Sequence, residues 1–274
     1  MALFISKKGL GIRDWGLVFV QPYNNLFVNI KLKKMKKSIL IILLSTSFSV
    51  FSQKVNTLTP QEKKMGWKLL FDGKTMKGWR NFYKTDLGGA WQVSENSITL
   101  DDTFKEGWMA KGGGELTTND IYENYEFTID WKISEGGNSG IIFNAQEDDA
   151  KKHPYSWNTG PEFQVLDNEK HDDGKIPKHR SGNLYDILKY EPENVKPQGQ
   201  WNTAKIMQKN GNVKLFLNGR NVIEYTIGSE EYKKAVAESK FKDDPMWGTY
   251  TKGHIVLQDH GNRVWYRNIK IRKL

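Results

Sequence analysis

Apolar and polar residues alternate along most of the chain after residue 52. In YEFTIDWKI, Tyr125, Phe127, Ile129, Trp131 and Ile133 fall on one side and Glu126, Thr128, Asp130 and Lys132 on the other, the two-residue period of a half-buried strand. NVKLFLNGRNVIEYTI repeats the alternation at Val213, Leu215 and Leu217, then reaches Asn218-Gly219 and a second apolar run. Asn-Gly tolerates the positive φ values of a two-residue hairpin turn. KNGN, from Lys209 to Asn212, marks another turn just upstream. Further strands are predicted near residues 67–71, 91–100, 139–143, 201–208, 254–258 and 264–271. Only 230–238 carries a helical pattern, and TLTPQEKK at 57–64 reads as a short capped helical turn or loop. Many short strands between turn signals predict an all-β fold, an antiparallel sandwich or jelly roll.

The first 52 residues break this pattern and also distort the charge. They hold eight basic residues and one acid, Asp14, and so carry +7 of the formal +9. The rest is nearly neutral, which removes the case for a nucleic-acid partner that a basic chain otherwise makes. From Met35 the leader reads MKKSILIILLSTSFSVFSQ: two lysines, an apolar run from Ile39 to Leu44, then small residues. That is the layout of a secretory signal peptide at 35–52, with cleavage after Ser52. The run is far short of the roughly 20 apolar residues of a spanning helix, so no stable membrane insertion is expected once the signal is removed. The protein is expected to be exported, periplasmic or secreted. Residues 1–34 precede a plausible start at Met35 and are read as a mis-called start or a non-structural leader. With no cysteine in the sequence, neither a lipidated cysteine nor disulfide staples are available. The remainder divides into an N-terminal segment, 53–66, and one sandwich domain, 67–274, long enough to bury a sizeable core.

Several polar residues interrupt the apolar pattern in ways that suggest chemistry. PEFQVLD places Glu162 and Gln164 on one side of a strand, with Phe163 and Val165 on the other and Asp167 close behind. GGNSGIIF surrounds Asn138 with Gly136, Gly137 and Gly140, a run that reads as a turn between strands or as a place where backbone comes close to a ligand. IVLQDHGNRVWYR gives Gln258 and His260 the same parity, with Arg267 further on.

WKLLFDGKTMKGWRNF, GGELTTNDIYENYEFTIDWKISEGGNSGI, PEFQVLD, GNLYDIL, QWNTAKI, LNGRNVIEY and GHIVLQDHGNRVWYRNIKIR follow one another from Trp67 to Arg272. In order and wording they resemble the 3-keto-disaccharide hydrolase domain family. The resemblance implies a concanavalin A-like lectin/glucanase sandwich, a jelly roll of two antiparallel sheets with a sugar-binding concave face. It also implies a carbohydrate substrate, a glycoside already oxidised at C3, and cleavage of its glycosidic bond.

Such a substrate invites a particular route. A ketone at C3 acidifies the hydrogen on C2, and the oxygen on C1 lies β to the carbonyl, so the bond can break by elimination and be completed by hydration. The enzyme needs a base near C2, a donor or cation for the enolate oxygen, and an acid for the leaving group. Glu162 is the expected base. His260 and Arg267 are the candidates for protonating the leaving group and steadying the enolate. Asn138, Gln164, Asp167, Tyr185, Asp186, Gln258 and Trp157 are the expected substrate contacts. Two other functions use the same residues. The outline of Glu162 and Asp167 resembles the acid pair of retaining β-glucanases, although Gln164 stands where those enzymes carry an aspartate. A non-catalytic carbohydrate-binding module would also use this fold. His153, His171 and His179 form no tight ligand cluster; the run DNEKHDDGK is acidic enough for a loop calcium site but reads better as a solvated loop, so no metal or cofactor is assigned.

Overall fold

The computed structural model describes residues 54–274; the expected leader and signal segment lie outside the described residues. The chain enters through α1 (Pro60–Lys64), which closes a capping box in which Thr59 and Glu62 satisfy each other's backbone N–H groups. Two antiparallel sheets follow. The larger contains β1 (Lys68–Leu69), β3 (Trp91–Ser94), β4 (Ser97–Leu100), β8 (Tyr125–Ile133), β11 (Asn202–Lys209), β12 (Asn212–Leu217), β13 (Arg220–Thr226) and β15 (Val264–Lys273). They run in the order β13-β12-β11-β8-β15-β4-β3, with β1 also on β15. The smaller contains β2 (Trp79–Asn81), β7 (Leu116–Thr118), β9 (Asn138–Ala145), β10 (Glu162–Leu166) and β14 (His254–Leu257), in the order β10-β9-β14-β7-β2. A separate hairpin pairs β5 (Lys105–Glu106) with β6 (Met109–Ala110), and α2 (Glu230–Ala237) is capped by Ser229.

The alternation read in YEFTIDWKI is the inner face of β8: Tyr125, Phe127, Ile129, Trp131 and Ile133 are all buried. They share one core with Leu116, Ile141, Phe143, Phe163, Val165 and Leu257 of the smaller sheet, which makes the two sheets a jelly-roll sandwich. The turn at Asn218 and Gly219 has both residues at positive φ, as does that at Asn210 and Gly211.

Two strands differ from the sequence expectation. Residues 91–100 form a hairpin and not one strand, because Glu95 and Asn96 both take positive φ and reverse the chain without a glycine. The strand expected at 67–71 pairs only over Lys68–Leu69, where it lies on the edge of β15. β15 itself is bulged between Arg267 and Lys270. At the bulge Asn268 exchanges backbone-to-side-chain hydrogen bonds with Asn56, which tethers the entering segment to the last strand. Among the described residues no helix is long and apolar enough to cross a membrane.

Candidate active site

Register on the outer face of the smaller sheet brings the polar residues together. Because Phe163, Ile141 and Leu257 point into the core, Glu162, Gln164, Asn138, Gly140, Ile142 and Val256 point the other way. Glu162 lies opposite Ile142, and Gln164 lies opposite Gly140. Gln258, just past the end of β14, donates its backbone N–H to the Gly140 carbonyl. Glu162 and Gln164 therefore border β9 on one side and Gln258 on the other, over a floor that is open at Gly140.

That opening is filled by the acid. A Cβ added to Gly140 would lie 2.0 Å from Glu162 Oε1 and 2.6 Å from its Cδ, so the carboxyl rests on bare backbone. Glu162 is 6% exposed, and burial pushes its pKa up to about 8; Lys240 opposes the rise, and the charges of Glu115 and Asp173 add to it. Around it stand amides with spare capacity. Gln164 Oε1 accepts the Val165 N–H, leaving its NH2 to donate. The side-chain oxygens of Asn138 and Gln258 are buried without a partner, which is a cost unless a ligand donates to them.

Loops complete a cleft of about 170 Å3 lined by Trp108, Asn138, Trp157, Glu162, Gln164, Tyr185, Lys240, Phe241, Gln258 and His260. This is smaller than the roughly 300–1,000 Å3 of drug-sized pockets and suits a single small polar ring. The 3-10 turn Ser156–Asn158 presents Trp157, on which Tyr155 stacks at 5.5 Å; Trp108 meets Tyr155 edge-on at 5.3 Å. Lys240 follows α2 and lies 4.3 Å from the centre of the Tyr185 ring. Tyr185 donates to Asp173, and burial, with Asp173 and Glu162 nearby, raises its pKa so that the phenol keeps its proton. His260 sits 5.6 Å from Trp108 and 6.0 Å from His171, ring to ring. Burial, with His171 beside it, lowers its pKa, so it is a neutral imidazole near pH 7.

Trp108 is held in place from below. Asp259 accepts the backbone N–H groups of Ala110, Gly114 and Gly261, pinning the hairpin to the end of β14. A side chain at Gly261 would strike the Trp108 carbonyl at 2.6 Å, and φ of +68° there favours glycine as well.

Seven of the expected residues line this cleft: Glu162, His260, Asn138, Gln164, Tyr185, Gln258 and Trp157. Three do not. Arg267 belongs to β15 in the larger sheet, where its guanidinium lies 3.8 Å from the Trp201 ring centre and its Nε 3.7 Å from Asp130; the expected cation is in the other layer of the sandwich. Asp167 follows a β10 that pairs with β9 without a bulge, so it has the opposite parity to Glu162. It accepts the N–H groups of Gly136 and Glu169, and five residues of strand place it about 16 Å along the chain from Glu162. The two carboxyls cannot act as a retaining pair, which needs a separation of about 5 Å. Asp186, at φ 61°, lies behind the rim, pairing with His179 and accepting the Lys240 N–H. It positions the lysine without lining the cleft.

Trp108, Lys240 and Phe241 are the lining residues that sequence reading missed. They come from connections whose tertiary placement has no periodicity to reveal it. The one available signal is the glycine cluster Gly112, Gly113 and Gly114 after Trp108, of which Gly113 leaves room for the Asp259 carboxylate.

Comparison with known proteins converges on one family. The family model of the 3-keto-alpha-glucoside-1,2-lyase-like domain matches residues 66–272. A 3-keto-disaccharide hydrolase of Bacteroides thetaiotaomicron is 35% identical over 229 residues, which cover 76% of this chain and 79% of that protein. A solved structure from Parabacteroides distasonis, described as a glycosyl hydrolase, is 33% identical with a TM-score of 0.72 and covers 81% of this chain and 100% of its own. A second structure from the same organism, described in the same way, is 26% identical with a TM-score of 0.58, covering 76% and 99%.

Proposed function

The chain belongs to the 3-keto-disaccharide hydrolase family, whose reaction is glycosidic-bond cleavage, and on that premise we propose that it cleaves 3-keto-glycosides or 3-keto-disaccharides by elimination followed by hydration. The observation that carries this reading is the buried Glu162 carboxyl, seated over Gly140 with Lys240 nearby. In this reading Glu162 takes the C2 proton, and the electron pair moves onto the C3 oxygen as an enolate. The Lys240 ammonium offsets that charge, the role that Arg267 is too distant to fill. Expulsion of the C1 oxygen leaves a C1–C2 double bond conjugated with the C3 ketone. Protonated Glu162 then supplies the proton of the departing oxygen. Water then adds at C1, and its proton passes through Glu162 to C2, regenerating the carboxylate. One group that must both accept and return protons works best with a pKa near the operating pH, which the burial of Glu162 provides. His260, neutral and beside Trp108, serves as a hydrogen-bonding partner for ring hydroxyls and is a poor acid for the leaving group.

The test is to incubate the purified protein with a glucoside and its 3-keto counterpart. The keto sugar should release its leaving group and the unoxidised glucoside should not; equal rates on the two would sink the elimination. A binding module would bind sugar and release nothing. We place the protein outside the cytoplasm on the signal read at 35–52, and N-terminal sequencing of the native protein should find Gln53 first.

A further inference from the structure

Glu115 is a buried carboxyl that this reaction does not use. It is 3% exposed and lies one step beyond the Leu116–Leu257 pair of β7 and β14. That step puts it on the cleft face directly across from Gln258, in the row that continues to Gly140 and Gln164. Two strand spacings, about 10 Å, separate it from Gly140, where the Glu162 carboxyl rests. One oxygen accepts the Ser156 N–H at 2.6 Å, at the start of the turn that presents Trp157. The other has no partner. A glutamine would accept the same N–H without the cost of burying an acid, so the Ser156 contact does not by itself call for an ionisable group here.

We infer that Glu115 is a positioning residue of the active site, tying the Trp157 turn to the sheet and acting through the buried row on the proton affinity of Glu162. The inference rests on the assignment of Glu162 as the base. In a dry interior two acids at this separation feel each other's charge, and the one that ionises second does so at higher pH. Burial raises Glu115 to about 7, with Asp259 adding to the rise and the Ser156 N–H opposing it. The other groups facing the pair are Lys240 and Asp173 toward Glu162, with the Tyr185 and Tyr266 phenols beside it and the neutral His260 imidazole in the same cleft. Lys240 favours ionisation of Glu162, and Glu115 sets itself against it.

The test is Glu115→Gln, which keeps the acceptor for Ser156 and removes the ionisable group. Two readouts are needed: kcat/KM against pH on a 3-keto-glucoside, and 13C NMR titration of the glutamate carboxyls, with the Glu162 line assigned by its loss in Glu162→Gln. In Glu115→Gln the Glu162 titration and the acid limb of kcat/KM should both move to lower pH by on the order of one unit, while KM changes little. Glu115 ionises first, so the reciprocal effect falls on the upper part of its titration. In the Glu162→Gln protein the Glu115 curve should lose the broadening that ionisation of Glu162 imposes and become a simple one-proton curve, which gives an answer even if Glu115→Gln does not fold. Unchanged titrations in these variants would overturn the inference. Movement of the lines in a protein that leaves the keto sugar intact would support the coupling and refute the elimination.

Discussion

Gly140 and Glu162 occupy one volume between them: the methyl group that any other residue would place on position 140 falls 2.0 Å from Glu162 Oε1. The φ of Gly140 lies outside the left-handed region, so alanine there meets no backbone strain and its effect is confined to the acid. Gly140→Ala should push the carboxyl off the floor and lower kcat on the keto sugar by about 10²-fold, in line with a misplaced catalytic group. Thermal melting should show the protein still folded. Normal turnover in a folded Gly140→Ala protein would mean that the acid works from another position.

Glu162→Gln should cost about 10²–10⁴ in rate, and wild-type kcat/KM should rise with pH through a limb near 8, as the buried base ionises. The same variant should gain stability. The folded-state pKa lies above the ordinary carboxylate value of 4.5, so the native protein binds more protons than the unfolded chain between the two, and burial of this acid destabilises it increasingly as pH rises through that window. Glu162→Gln should therefore melt at nearly the wild-type temperature at pH 4 and several degrees higher at pH 8. Melting curves across that range check the sign.

Lys240→Met removes the ammonium among the lining side chains and keeps most of the packing against Tyr185. Because Lys240 opposes the raised pKa of Glu162, its loss should move the acid limb of kcat/KM to higher pH. It should also lower the pH-independent kcat by about 10²-fold if the ammonium steadies the enolate. A shift in the limb without a fall in kcat would leave Lys240 a purely electrostatic neighbour of the base.

Phe163→Ala tests the opposite face of the same strand. Phe163 is fully buried in the core between the sheets, and its truncation should cost about 3–5 kcal/mol of stability. The kcat of molecules that remain folded should stay close to wild type. Denaturant midpoints and kcat at low temperature separate the two effects.

Residues whose position follows from strand parity were legible in the sequence. Alternation alone puts Glu162 with Gln164 and Gln258 with His260, and the structure adds that β10, β9 and β14 are neighbours. Parity does not say which sheet a strand joins, which is why Arg267 reads as a companion of His260 and is found against Trp201 in the other layer. Nor does it reach short strands: β2 and β7 are three residues each, too brief to show a period, and with β7 unseen Glu115 had no place on the face. Trp108 and Lys240 come from connections whose approach to the site depends on contacts made by other residues, Asp259 for one and Asp186 for the other.

The anchoring of the β5–β6 hairpin by Asp259 divides the labour of the cleft between two kinds of material. The sheet supplies the acid and the amides, while Trp108 is carried on a peripheral arm whose footing consists of backbone groups at Ala110, Gly114 and Gly261. Since the footing reads backbone groups and no side chain on the arm, substitutions at residues 105–109 that keep its length should leave the Asp259 anchor in place. A lineage, or a library, that varied this arm alone would explore new leaving groups while inheriting the proton chemistry intact, and its members would differ in KM far more than in the pH dependence of turnover.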